Sequence, residues 1–313
     1  MNEHRRAQWQ IHFCVLLWGF TAILGKAITL SALALVWWRM GLVTLALLVL
    51  PRVWRGLRAL TPRLLAIYAG IGVVVALHWL SFYGSIKLAN ASVAVTCIAL
   101  SPAFLAAVEP WLTGRRFDAR ELALGLAVVP GVALVVGGVP AGMHTGMIVG
   151  AISAFLVAIF GALNKRFVDR ADALTVTCVE LGAGALFLTL ITPLVAPLIG
   201  NPGPMFPVPD THDAILLVVL AMGCTLLPFA LSLKALRHLS AFGAQLAINL
   251  EPVYAIILAI VLLGEQRELT PQFYAGVAII LLAVFVHPFL SRRPDRLPQA
   301  DVLACAEAKN VAE

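Results

Sequence analysis

The sequence predicts an all-α integral membrane protein with ten transmembrane helices arranged as two inverted five-helix repeats, and three observations predict it. Of its 313 residues 61% are hydrophobic and only 12% charged, with a mean hydropathy of +0.95, whereas soluble domains carry about a quarter charged residues. The apolar segments are long and continuous rather than alternating in pairs, which is the pattern of spanning helices and not of barrel strands. Sliding the chain by 150 positions lays residues 87–114 on 237–264 with seven identities in 28 positions, among them Pro102 on Pro252 and Gly114 on Gly264. Farther on the register slips by one, so that Gly125 falls on Gly276, and the chain reads as an internal duplication.

Taken in order, residues 1–10 form a polar tail with Arg5 and Arg6, and residues 11–30 form a first helix with no A-x-A cleavage signal after it. Spans follow at about 32–50, 64–84, 91–112 and 119–137, which completes a first repeat over 11–137. A Gly/Pro turn at 138–146 joins it to a second repeat over 147–290, with spans at 147–164, 173–198, 213–235, 241–263 and 272–290. The loop at 200–210 holds four prolines and reads as an irregular connection, and the tail at 291–313 has no hydrophobic period and reads as disordered.

Orientation follows from Lys and Arg, which accumulate on cytoplasmic loops. With the N-terminus inside, 18 of the 22 Lys and Arg are cytoplasmic, against Lys26, Lys87 and Arg267 outside and Arg39 within a span. Both termini are then cytoplasmic. Because each half has an odd number of spans, the duplicated halves are inverted, as in many secondary transporters.

The ninth span carries the strongest site signal. Glu251 lies near the midplane of its apolar run, and the adjacent Pro252 removes a donor and frees the carbonyl of Ile248. Gln245, Asn249 and Pro252 recur at i, i+4 and i+7 and share one face, which lines a cavity or serves as polar glue between helices. Pro102 is the corresponding helix break in the first half. Ionisable groups inside a bilayer cost about 2.5–3.5 kcal/mol each even on insertion scales, so each is a functional candidate. Arg39 would pair with Glu180 or with Glu251, either as a structural ion pair or as part of a site. His78 would shuttle protons or serve as a hydrogen-bonded interfacial histidine. Glu109 and the lysines Lys26 and Lys165 read as interfacial groups.

Trp9, Trp54 and Trp111 read as anchors on the inner side and Trp37, Trp38 and Trp79 on the outer. Trp18 and Tyr254 lie deeper, either as core packing or as an aromatic wall facing Asn249 and Glu251. The substrate-binding set is therefore Trp18, Arg39, His78, Gln245, Asn249, Glu251 and Tyr254, with no catalytic or metal-binding residue. Five cysteines form no CxxC or metal spacing, and the scattered basic residues do not form a nucleic-acid patch. There is no P-loop, HExxH or GxSxG, which argues against an ATP-driven pump and an intramembrane enzyme. A channel would want rings of like charge or a carbonyl filter. No cofactor is expected. The expected partners are a small-molecule substrate, the lipid bilayer and protons, with a monomer and a homodimer both open.

WGFTAILGK at 18–26, Arg39, SPAF at 101–104 and LEPVYAIILAIVLLGE at 250–265 resemble the EamA family of the drug/metabolite transporter superfamily over residues 10–290. The chain departs from that pattern at Gly114-Arg115, where the family usually has Gly-Glu, and at Gly25 before Lys26. The resemblance implies a ten-helix inner-membrane carrier that is not an enzyme, of a kind that often exports amino acids or other small metabolites. It does not fix the substrate.

Overall fold

The computed structural model describes residues 3–199, 204–248 and 250–290, and the expected disordered tail lies outside them. Among the described residues all regular structure is helical. Helix α1 (Glu3–Ala27) is followed by α2 (Ala32–Leu48), whose first turn is capped by the Ser31 hydroxyl accepting from Ala34 N. At Pro51 the chain turns by 94° into α3 (Pro51–Ala59), which the sequence pattern had left within a connection. Its Val53 is buried while Arg52, Trp54, Arg55 and Arg58 are exposed, the make-up of a helix lying along a membrane surface. Thr61 caps α4 (Pro62–Leu88), and Asn90 caps α5 (Ala91–Ile98).

Pro102 does more than kink the fourth expected span. The helix stops at Ile98, tightens through the bonds Ala99 N to Thr96 O and Leu100 N to Cys97 O, and restarts as α6 (Ser101–Thr113) with Pro102 in its first turn, where no donor is needed. Helix α6 ends on Gly114 at φ 75°. The expected single helix over 119–137 is likewise interrupted, into α7 (Ala119–Leu126) and α8 (Val129–Gly138), because Pro130 offers no N–H to Leu126.

A short 3-10 turn leads into α9 (His144–Phe167), followed by α10 (Ala173–Ile199). Asp210 caps α11 (Thr211–Val218), which passes through a π-helical stretch (Val219–Leu226) into α12 (Leu227–Leu236). Then α13 (Ala241–Ile248) breaks as α5 does, and α14 (Glu251–Leu258) restarts around Pro252 and runs on to Gly264 at φ 69°. The last helix is α15 (Pro271–Leu290). Among the described residues six helical segments are long and apolar enough to cross a bilayer unbroken, and α2 with α3 makes a seventh if the bent pair counts as one span. Segments Glu251–Leu263 and Pro271–Leu282 are shorter apolar helices. This is a helical multi-pass membrane protein. Its outer surface agrees: Leu45, Leu190, Leu194 and Val261 are 64–73% exposed, a cost in water but not in lipid.

Inside, α4 packs along both α9 and α10, α10 along α2, and α1 along α12 and α14. The α4–α10 contact is backbone-close at Gly72, where a Cβ would overlap the carbonyl oxygen of Glu180. A consequence is testable: Gly72→Leu is expected to cost several kcal/mol of packing, read as loss of monodisperse protein in detergent, while Gly70→Leu, at a position with open space, is tolerated.

Candidate functional site

Arg39 is only 3% exposed in the middle of α2, and α4 and the π-helical stretch Val219–Leu226 converge on it. Its Nε donates to Thr225 Oγ1 at 2.6 Å, Nη1 to the Tyr83 hydroxyl at 2.7 Å, and Nη2 to the Cys224 carbonyl at 3.4 Å. The guanidinium carbon lies 3.8 Å from the centroid of the Trp79 ring, a cation–π arrangement. The local reason is Pro228. Lacking an N–H, it cannot take the carbonyl of Cys224 four residues back, and the π-helical stretch, in which Thr225 Oγ1 donates to Leu220 O, presents that carbonyl and the Thr225 hydroxyl to Arg39. Gly25 leaves room for the Tyr83 ring, which a Cβ there would overlap.

The ion pair expected between Arg39 and Glu180 or Glu251 is not formed. Neutral acceptors and an aromatic face occupy the guanidinium, Glu180 Oε2 takes a 3.4 Å bond from Asn164 Nδ2, and Glu251 lines the same cavity as Arg39 without bonding it.

That cavity has about 110 Å3 of space open to a water-sized molecule. Arg39, His78, Trp79, Phe82, Ile98, Ile248 and Glu251 line one part of it. Ile98 and Ile248 are the two residues whose carbonyls Pro102 and Pro252 leave without their usual helical donors. Ile11, Asn164, Ser232, Leu236 and Ala241 line the rest. These last belong to the start of α1, the ends of α9 and α12 and the start of α13, so the cavity extends toward the end of the bundle that carries most of the arginines.

Trp18, Arg39, His78 and Glu251 are thus brought together. His78 Nδ1 lies 2.8 Å from Ser153 Oγ and 3.0 Å from Ser153 O, while Ser153 Oγ donates to His78 O, an arrangement that makes Nδ1 the protonated nitrogen and leaves Nε2 as the acceptor. Tyr254 is not part of the group: it is 37% exposed, does not line the cavity, and its Cβ lies close against Gly19 of α1. The aromatic wall is made instead by Trp18, Trp79, Phe82 and Phe160. Trp79, expected as an interfacial anchor, is buried because it carries Arg39. Asn249 lies outside the described residues, and so does the side chain of Gln245. Tyr83, Thr225, Ser153 and Asn164 were missed by sequence reasoning; the one available signal was Pro228 inside an apolar run.

At the opposite end polar ties join the two halves of the chain. Glu265, 1% exposed, accepts from Ala91 N at 3.0 Å, Ser92 N at 2.9 Å and Ser92 Oγ at 2.7 Å, so the end of the α14 segment caps the start of α5. Asn90 donates to Glu268, and Asp213 accepts from both the amide and the hydroxyl of Thr29. The duplicated position in the first half is Arg115, which turns to its own half: it lies 3.3 Å from Glu109 and 2.5 Å from Glu121, whose carboxylate bond pushes the guanidinium pKa above its ordinary value. Lys165, expected to reach toward headgroups, donates instead to Leu236 O at the end of α12. Asp210, His212 and Asp213 come within 4.8 Å of one another, but Asp210 is a helix cap and Asp213 is committed to Thr29.

The family model described as EamA-like transporter family matches residues 8–137 and again 144–287. No curated protein matches. Among the solved structures that match is a crystal structure with a TM-score of 0.62 at 19% identity, covering 94% of this chain and 99% of the other, a likeness of fold alone.

Proposed function

The chain belongs to the EamA-like transporter family, and from that premise we propose that it is a secondary exporter of amino acids or closely related metabolites. In this reading ten spans form two inverted five-helix halves in the cell membrane, the inner one where there are two, with both termini cytoplasmic. The halves rock about a midplane site by alternating access.

The observation that carries the substrate class is the pairing of a buried cation and a buried carboxylate, Arg39 and Glu251, in one cavity walled by aromatic rings without a bond between them. A zwitterion supplies the opposite charge that each lacks, and Arg39 keeps two N–H groups beyond those bonded to Thr225, Tyr83 and Cys224. Its carboxylate meets the Arg39 fork and its ammonium meets Glu251, while Trp18, Phe82 and Phe160 take an apolar side chain. The cavity extends toward the arginine-rich end, the cytoplasmic one by charge bias, and the far end is tied shut by Glu265 and Asp213. This is the state that loads from inside.

Counterflow in liposomes with a panel of labelled amino acids tests the reading: saturable exchange of at least one zwitterion is expected, and none with any member of the panel counts against it. Glu251→Gln keeps the volume of the side chain and removes its charge. It is expected to weaken zwitterion exchange about tenfold or more, the worth of one charge-assisted hydrogen bond, and unchanged exchange would leave Glu251 structural. Topology has its own test. Single cysteines at exposed Arg58 and Arg116 are expected to resist an impermeant thiol reagent in intact cells, while those at exposed Ala141 and Val208 react. The reverse pattern removes the orientation.

A further inference from the structure

Glu180 is a buried acid that does not line the cavity. It is 0% exposed, its Oε1 has no hydrogen-bond partner, and Oε2 has only the long bond from Asn164. Asn164, 3% exposed, also has an unpartnered Oδ1, and it stands in the wall of the cavity.

The charged groups on the elements packed against α10 are engaged elsewhere. On α4, the Tyr68 hydroxyl donates to Phe167 O and His78 is bonded to Ser153; on α2, Arg39 is held by Thr225 and Tyr83. On α12, Lys234 and Arg237 are exposed, and Arg237 bonds Ala171 O; on α3, Arg52, Arg55 and Arg58 are exposed, and Arg52 pairs with Asp172. Among the described residues no cation comes within ion-pair distance of Glu180. A bare carboxylate in such surroundings is strongly disfavoured unless it takes up a positive charge.

We infer that Glu180 and Asn164 form a proton-binding site behind the substrate cavity, separate from Glu251, which exchanges its proton with the cavity. The two unpartnered oxygens there are too few for a divalent cation, which wants about six, and a proton needs one. The amide suits both states. Its Nδ2 donates to the carboxylate, and turned by half a rotation its Oδ1 accepts from the acid. On release the Glu180 O–H bond breaks and the proton passes to water in the cavity. Asn164 is the described side chain that bonds the carboxylate and also lines the cavity, so the route runs past Asn164. The use of the site in export rests on the proposed function, but its existence does not.

The test therefore needs no substrate. Infrared spectra of the purified full chain are recorded across a pH series, following the carbonyl band of protonated carboxyl groups. A band that fades as pH rises is expected, absent from Glu180→Gln and retained in Glu251→Gln. A spectrum of Glu180→Gln identical to the unaltered protein overturns the site, as does a Glu180 band that never titrates or one displaced by sodium at constant pH. Should Glu180→Gln not survive purification, Glu180→Asp is expected to shift the band, and an unshifted band overturns the assignment. After a pH jump, Asn164→Leu is expected to slow loss of the band by an order of magnitude, and an unchanged rate overturns the route. Loss of counterflow with these results intact would count against the export reading alone.

Discussion

Arg39→Ala is expected to abolish transport and to lower the yield of folded protein. The substitution removes the donor from the Cys224 carbonyl and from the acceptor sides of the Tyr83 and Thr225 hydroxyls, of which Thr225 keeps its bond to Leu220 O, and a buried polar group left without a partner costs about 1–3 kcal/mol. It also removes the cation above Trp79 and empties the carboxylate half of the proposed site. Arg39→Lys separates the two roles. One ammonium keeps the charge but cannot span three acceptors and lie flat on the indole, so folded yield is expected to recover while exchange stays at least about tenfold down. Fluorescence-detected size exclusion and liposome counterflow on the three proteins check this. Full exchange by Arg39→Lys would mean that the fork geometry is unimportant.

The second large effect is expected at Glu265, a residue that sequence reasoning quoted but did not place in the site. Its carboxylate serves two amides and a hydroxyl at the start of α5, and no other described side chain is bonded to those amides. Glu265→Ala is expected to destabilise the folded protein by about 1–2 kcal/mol, as for other lost helix caps, read as a lowered midpoint of thermal unfolding in detergent. It is also expected to open the far end. A cysteine replacing Thr21 in the cavity, in a background free of other cysteines, should then become reactive to an impermeant reagent from outside. Labelling that stays absent would show that Asp213–Thr29 and the packing beneath suffice to keep that end closed.

Much of this architecture was legible in one dimension. Long apolar runs can satisfy their backbones in lipid only as helices, so the helical membrane class follows from composition alone. The paired prolines Pro102 and Pro252 foretold two of the places where a helix breaks, though not the break at Pro130, and the aligned Gly114 and Gly264 are the two left-handed helix ends. The cost of burying charge pointed to Arg39, Glu180 and Glu251 before any coordinates. Family membership was legible for a related reason, since LEPVYAIILAIVLLGE packs proline, carboxylate and terminal glycine into one apolar segment.

Depth along a helix is readable from sequence; azimuth and partner are not. Trp79 was assigned to the interface because only its distance from a helix end was visible, whereas the turn of α4 that points it under Arg39 depends on how α4 meets α2. Tyr254 and Glu251 are three residues apart on one helix, yet one faces outward and the other into the cavity. Opposite charges at one depth suggested an ion pair, but the carbonyl released by Pro228 and the hydroxyls of Tyr83 and Thr225 reach Arg39 first, and those contacts lie 44 to 186 residues away in sequence. The sequence by itself thus determined that the chain is helical, membrane-spanning and broken at two prolines, because those properties follow from local solvation and covalent chemistry. Only the tertiary structure decided which buried charges meet, because a guanidinium accepts hydroxyls, carbonyls, rings and carboxylates alike, and proximity in the packed bundle selects among them.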